Sequence, residues 1–199
     1  MKTFFAKIAA NGKLVKNGKK DIFSIPLSDE SYSASKKIFY MTDVTGKNLE
    51  VLEKDFLALI KETYGQVYSV GKNKDGTFFL WREPTKDEKI LIAFNEGTLH
   101  TNLAAIQFND KKGEVSVKGF SSKNTAFEKA GLNAKDVVKK IVLTSEKGTG
   151  KEISYKDLLG IKPGVTVTFT VERKVKKETQ TLTFTAPVEW DEKELKKIK

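Results

Sequence analysis

The chain has no cysteine, a single histidine (His100) and only two arginines (Arg82 and Arg173) in 199 residues. Without cysteine there is no disulfide framework, no thiolate metal site and no thiol nucleophile. This absence does not separate an oxidising from a reducing compartment. A lone histidine leaves little room for acyl-transfer chemistry: a Ser-His-Asp triad needs its serine on a tight turn, and no Gly-x-Ser-x-Gly is present. No histidine or carboxylate spacing supports zinc. No apolar run approaches the roughly 20 residues needed to cross a bilayer. These absences lead to the expectation of no catalytic residue, no metal and no cofactor, so that the protein is not an enzyme.

What is abundant is lysine. The 36 basic residues exceed the 26 acidic ones by a net charge of +10. A basic excess marks anionic partners when it is clustered and rich in arginine, whose planar fork reads phosphates and bases. Here lysines lie beside acids, as in Lys61-Glu62, Lys86-Asp87-Glu88-Lys89 and Lys176-Lys177-Glu178. The pattern predicts a solvated basic surface, and no nucleic-acid partner is expected. The opening Met1–Ala10 has a basic residue and a short apolar run. Lys7 interrupts that run, so the stretch is expected to be a strand and not a signal segment.

Along the first half, Asn11-Gly12 and Asn17-Gly18 are turn dipeptides, because Asn and Gly tolerate positive φ. Asp21–Ile25 and Lys37–Met41 read as strands, with a polar loop over 28–35. Leu49, Leu52, Phe56, Leu59 and Ile60 recur at helical spacing and predict a helix over 47–64, capped by Thr45 and stopped by Gly65. Strands are expected over 66–70, 77–82 and 89–94. The first half is therefore expected to be an α+β domain, residues 1–97, with one main helix on an antiparallel sheet. Asn95-Glu96-Gly97-Thr98 is the linker candidate.

After the linker the order is strand (104–108), strand (114–120), short helix (126–130), strand (137–143), short helix (154–159) and a hairpin of 165–173 with 179–186. A charged tail over 189–199 follows, in which Trp190 is placed to pin the tail to a surface. Ala126-Phe127-Glu128-Lys129-Ala130-Gly131-Leu132 leads from a small helix through a left-handed stop, and Asp136-Val137-Val138 opens the next strand. Ile153-Ser154-Tyr155-Lys156-Asp157-Leu158-Leu159 carries a reciprocal cap, Ser154 with Asp157. Pro163-Gly164 starts the closing hairpin. In this order the segments resemble the PDZ domains of the bacterial protease-associated type, over about 101–188. Lys135 stands where that family has glycine.

The resemblance implies a β-rich, partly open barrel with two short helices over 98–188. It also implies a non-enzymatic function: binding protein or peptide segments by adding a strand to an exposed sheet edge. The implied groove comprises Leu103, Ala104, Ala105, Ile106, Gln107 and Phe108, opposite Ser154, Leu158 and Leu159. The loop that captures a terminal carboxylate would fall at Thr101–Ala104. Ala104 and Ala105 occupy positions where glycine is expected, and alanine does not cheaply adopt positive φ, so the loop is expected to bind a carboxylate weakly. A secreted or periplasmic setting is implied by the family alone. The alternatives are a domain that docks internal segments or serves a purely structural or intramolecular role, and an accessory region of a larger secreted or envelope hydrolase whose catalytic part lies elsewhere.

Two motif fragments fail on inspection. Asp43-Val44-Thr45-Gly46 has one residue too many for an aspartic-protease Asp-Thr-Gly. Gly148-Thr149-Gly150-Lys151 has Ser145 where a phosphate loop begins with glycine, and reads as a hairpin turn.

Overall fold

The computed structural model describes residues 2–43, 45–122 and 125–198. The chain divides into two compact units, Met1–Asp87 and Glu88–Lys199. Strands dominate both, with a few helices, and among the described residues no helix is long and apolar enough to cross a membrane.

Unit 1 runs α1 (Lys2–Ala9), β1 (Lys13–Asn17), β2 (Lys20–Leu27), β3 (Tyr32–Ser33), β4 (Ile38–Thr42), β5 (Asn48–Leu52), α2 (Glu53–Tyr64), β6 (Ser69–Lys72) and β7 (Phe78–Arg82). Its strands form two antiparallel sheets, ordered β1-β2-β7-β6 and β3-β4-β5. Pro26 lies inside β2, beyond the reach of β1, whose pairing ends at Ser24, so the missing amide breaks no ladder on that side. Rings dominate the core: Phe56 stacks on Phe39 with centroids 4.0 Å apart and meets Phe4 and Phe5 edge-on at 6.0 and 6.4 Å. Beside it, Arg82 is buried, lies 4.3 Å over the Phe23 ring and donates from Nε to the Tyr68 hydroxyl.

Four expectations fail between the start of the chain and residue 98. The opening stretch is a helix: Phe5 is buried, and Phe4, Ile8 and Ala9 pack against the same core at helical spacing. The helix expected over 47–64 begins only at Glu53, because Leu49 and Val51 alternate inward as β5 against Met41 and Phe39. Its N-cap is therefore Leu52, not Thr45, whereas Gly65 ends it in the left-handed conformation as expected. The strand expected over 89–94 is helix α3 (Lys86–Asn95). A short apolar run carries no period that separates strand from buried helix. The expected linker closes α3 instead: the amides of Thr98 and Leu99 both donate to the Ala93 carbonyl, and Leu99 is buried.

Unit 2 continues from α3 with a 3-10 turn (Asn102–Ala105), β8 (Ile106–Lys111), β9 (Glu114–Phe120), α4 (Ala126–Lys129), β10 (Val137–Ser145) and β11 (Gly150–Glu152). A 3-10 segment (Tyr155–Gly160), β12 (Val165–Val175), β13 (Glu178–Pro187) and α5 (Glu192–Leu195) complete it. The strands form one open antiparallel sheet, β13-β12-β10-β9-β8, with β11 on β10. Val167, Phe169 and Val171 point inward in alternation along β12 and centre the core with Phe127, Leu132 and Ile141. Thr125 caps α4 by accepting the Glu128 amide, and Gly131 at φ +105° turns the chain out of it. Asp136, its side chain 1% exposed, holds Arg173 through two 2.7 Å contacts and also accepts the Asn133 amide.

The tail is anchored. Thr101 and Trp190 form a bridge, Trp190 meets Phe94 edge-on at 5.2 Å, and Asp191 caps α5. The Glu194 carboxylate accepts the His100 amide and lies 3.1 Å from its Nδ1, which gives the lone histidine a packing role.

Candidate functional site

β8 ends the sheet. It pairs with β9 on one side, and among the described residues no strand pairs with it on the other. The register shifts between Gln107 and Phe108, where Lys118 of β9 is the extra residue, and the strand otherwise alternates. Ile106, Phe108 and Asp110 thus share one face, from buried through half-buried to exposed. Gln107, Asn109 and Lys111 share the other.

The turn leading into this strand spends its own amides. The Ala104 amide donates to the Thr101 carbonyl, and the Ile106 amide to that of Leu103. Non-glycine residues with positive φ among those described are Lys37, Lys112, Lys135 and Lys176, so neither Ala104 nor Ala105 adopts the left-handed backbone of an anion nest. Asn102 is occupied by the tail: its side chain donates to the Pro187 carbonyl and accepts the Glu189 amide. Thr101–Ala104 therefore offers little to a terminal carboxylate. The hydroxyl of Thr101 is buried without a hydrogen-bond partner.

Across from β8 lies the Tyr155–Gly160 segment. It is 3-10 helical, and its cap is the reciprocal pair read from the sequence: Ser154 Oγ accepts the Lys156 amide, while Asp157 accepts that of Ser154. The two leucines separate. Leu158 is 2% exposed and belongs to the core that contains Leu103 and Ile106; Leu159 is 63% exposed. Ile106 and Leu158 are thus joined inside the core and do not stand as walls of an open pocket. Leu159 is the apolar side chain left outside.

Two residues that sequence reasoning passed over link the strand to the 3-10 segment. The Tyr155 hydroxyl donates to Asp110 Oδ2 at 2.9 Å, and its ring lies 5.5 Å from that of Phe108, which stacks on Phe169. Asp110 accordingly holds the Tyr155 phenol above its ordinary pKa, because ionisation would lose the hydrogen bond and set two anions together. The signal was available: Asp110 follows Ile106 and Phe108 at strand spacing, and Tyr155 is the first residue after a cap. Exposed lysines surround this region, Lys111 at the end of β8, Lys112 after it, Lys118 on β9 and Lys156 beside Tyr155.

Elsewhere the rejected fragments are turns. Asp43 Oδ1 accepts the amides of Thr45 and Lys47 and the Thr45 hydroxyl, which together lower its pKa; Val44 lies outside the described residues. Residues 145–149 close the β10–β11 hairpin through Ser145 and Gly148. Among the described residues no three His, Asp or Glu side chains gather as a metal site. No family model matches the chain, and no curated protein matches it.

Proposed function

We propose that residues 101–188 form a PDZ-like module that binds an extended protein segment by strand addition along β8, without catalysis. The observation that carries this reading is the edge itself: among the described residues β8 pairs on one side only, and a capped helical segment lies opposite. A strand added there gains main-chain hydrogen bonds that need no particular ligand sequence. A second feature agrees. Lys135 holds the backbone at φ +75° at the position where the resemblance expects glycine. The Thr101–Ala104 turn argues for an internal segment of the partner and against a free C-terminus, since the Ala104 amide donates within the turn and the Asn102 amide to the Glu189 carbonyl. Exposed lysines along the groove favour acidic residues flanking that segment.

The test uses an octapeptide of alternating Val and Thr with Glu at both ends, prepared with free and amidated C-termini. Both forms are expected to bind with similar affinity, on the order of micromolar because association and ordering costs consume much of the contact energy. Amide shifts should concentrate on 106–111 and 154–160. No binding, or shifts confined to other strands, overturns the reading. A strong preference for the free carboxylate overturns the internal-segment part alone.

A further inference from the structure

The space between β8 and the 3-10 segment is bridged at its far end. The core-facing side chains of β8 finish on Asp110, and Tyr155 reaches across to it with a 2.9 Å hydrogen bond. The same ring rests on Phe108, which is itself held against Phe169. At the near end the Ile106 amide is committed to the Leu103 carbonyl. The side chains that an incoming strand sends toward the core on this face therefore meet the Tyr155 ring. Both partners are polar at their tips and solvent-accessible, so the contact opens without burying an unpaired charge.

We propose that Tyr155 is a latch on this groove: its contacts with Asp110 and Phe108 exclude a docking strand, and occupancy requires Tyr155 to swing away. The inference rests on the docking reading above for its ligand, but the latch itself is a property of the free protein. Closed, it occupies the side chains of Phe108 and Asp110, and so hinders strands from adding to an edge that would otherwise recruit them. Open, it frees Asp110 to meet a donor on the ligand, such as a serine or threonine hydroxyl, at the place the phenol leaves. The latch thus selects ligands that replace its hydrogen bond as well as its ring.

The experiment compares the full chain with Tyr155→Phe, which keeps the ring and loses the hydroxyl, and with Asp110→Ala, which loses the acceptor. Without any ligand, amide hydrogen exchange over 107–111 is expected to accelerate about five-fold in both variants, the scale of one solvent-exposed hydrogen bond. Exchange at Ile141 and Phe169 should not change. The Val/Thr octapeptide should bind Tyr155→Phe about five-fold more tightly than the parent. Unchanged exchange along β8 overturns the latch whether or not peptide binds. Equal peptide affinity for parent and variant also overturns it while leaving the docking site intact. Faster exchange with no peptide bound by either protein supports the latch and overturns the docking reading.

Discussion

Unit 1 centres its core on Phe56, enclosed by Phe39, Phe4 and Phe5, with α2 carrying it against two small sheets. Unit 2 centres its core on Phe169, carried by a long strand in a single sheet, and closes one margin with the Asp136–Arg173 pair. The first arrangement depends on ring area gathered from helix and strand. The second depends on a regular hairpin plus one buried charge that must keep its partner. A core of rings loses stability in proportion to the volume removed. A core edged by an ion pair loses it when either charge is orphaned, however small the change in volume.

The largest expected effects probe that contrast directly. Phe56→Ala should cost about 4 kcal/mol, as expected for a fully buried phenylalanine. Asp136→Ala should cost roughly 3 kcal/mol, because Arg173 then stands partly buried without a counter-charge, left with the Gly131 carbonyl, the Asn133 side chain and the Phe184 ring. Residue-resolved amide exchange under mild urea separates the two. Phe56→Ala should loosen amides before Asp87, and Asp136→Ala those after Glu88. If either variant loosens both sets equally, the two units share one cooperative core and the contrast fails.

The units also differ in how much of them is legible in the sequence, and for a physical reason. Unit 2 is marked by residues whose role is local. Gly131 has to take positive φ, Ser154 and Asp157 cap each other across three residues, and the β12–β13 hairpin alternates threonines with apolar side chains. Unit 1 is marked mainly by apolar runs. Val51 can face inward from a strand, and Leu49 and Leu52 can equally be read onto the stripe of the helix that follows. The same ambiguity recurs where unit 2 begins: the run Ile90-Leu91-Ile92 in α3 fits a buried strand as well as a helix, and only tertiary contacts decide. The groove followed the same division. The capped segment was legible, but the edge strand expected over 104–108 runs over Ile106–Lys111, with Ala104 and Ala105 in the 3-10 turn before it, and which of Leu158 and Leu159 faces the core was decided by tertiary packing. The Tyr155–Asp110 link joins residues 45 positions apart, and no local rule announces it.

A smaller prediction transfers a feature between units. Leu52 before α2 and Thr125 before α4 have nearly the same backbone, φ −59° ψ 141° against φ −62° ψ 156°. Thr125 uses it to accept the Glu128 amide, whereas Leu52 offers no acceptor and is 47% exposed. Leu52→Thr should therefore install the missing cap on the Asp55 amide and raise stability by about 1 kcal/mol, read as a shift in the urea midpoint of unit 1. A neutral or destabilising result would mean that the half-buried leucine side chain matters more than the open amide.

The smallest effect concerns Lys135. Its φ of +75° places a β-carbon where an L-residue is strained, one residue before the buried carboxylate of Asp136. The strain persists because the backbone there is held on both sides: the Lys135 amide donates to the Val117 carbonyl, and the Val117 amide donates to that of Asp136. Gly131 meets a similar demand, at φ +105°, with the residue suited to it. Lys135→Gly should relieve roughly 1 kcal/mol of left-handed strain and give back about half of it through the freer unfolded chain, for a net gain of about 0.5 kcal/mol in unit 2. Lys135→Ala should give no such gain, since its β-carbon keeps the strain, and this control separates backbone strain from loss of the lysine charge. If alanine stabilises as much as glycine, the surface charge was the cost, and the position carries no backbone demand of the kind the resemblance implies.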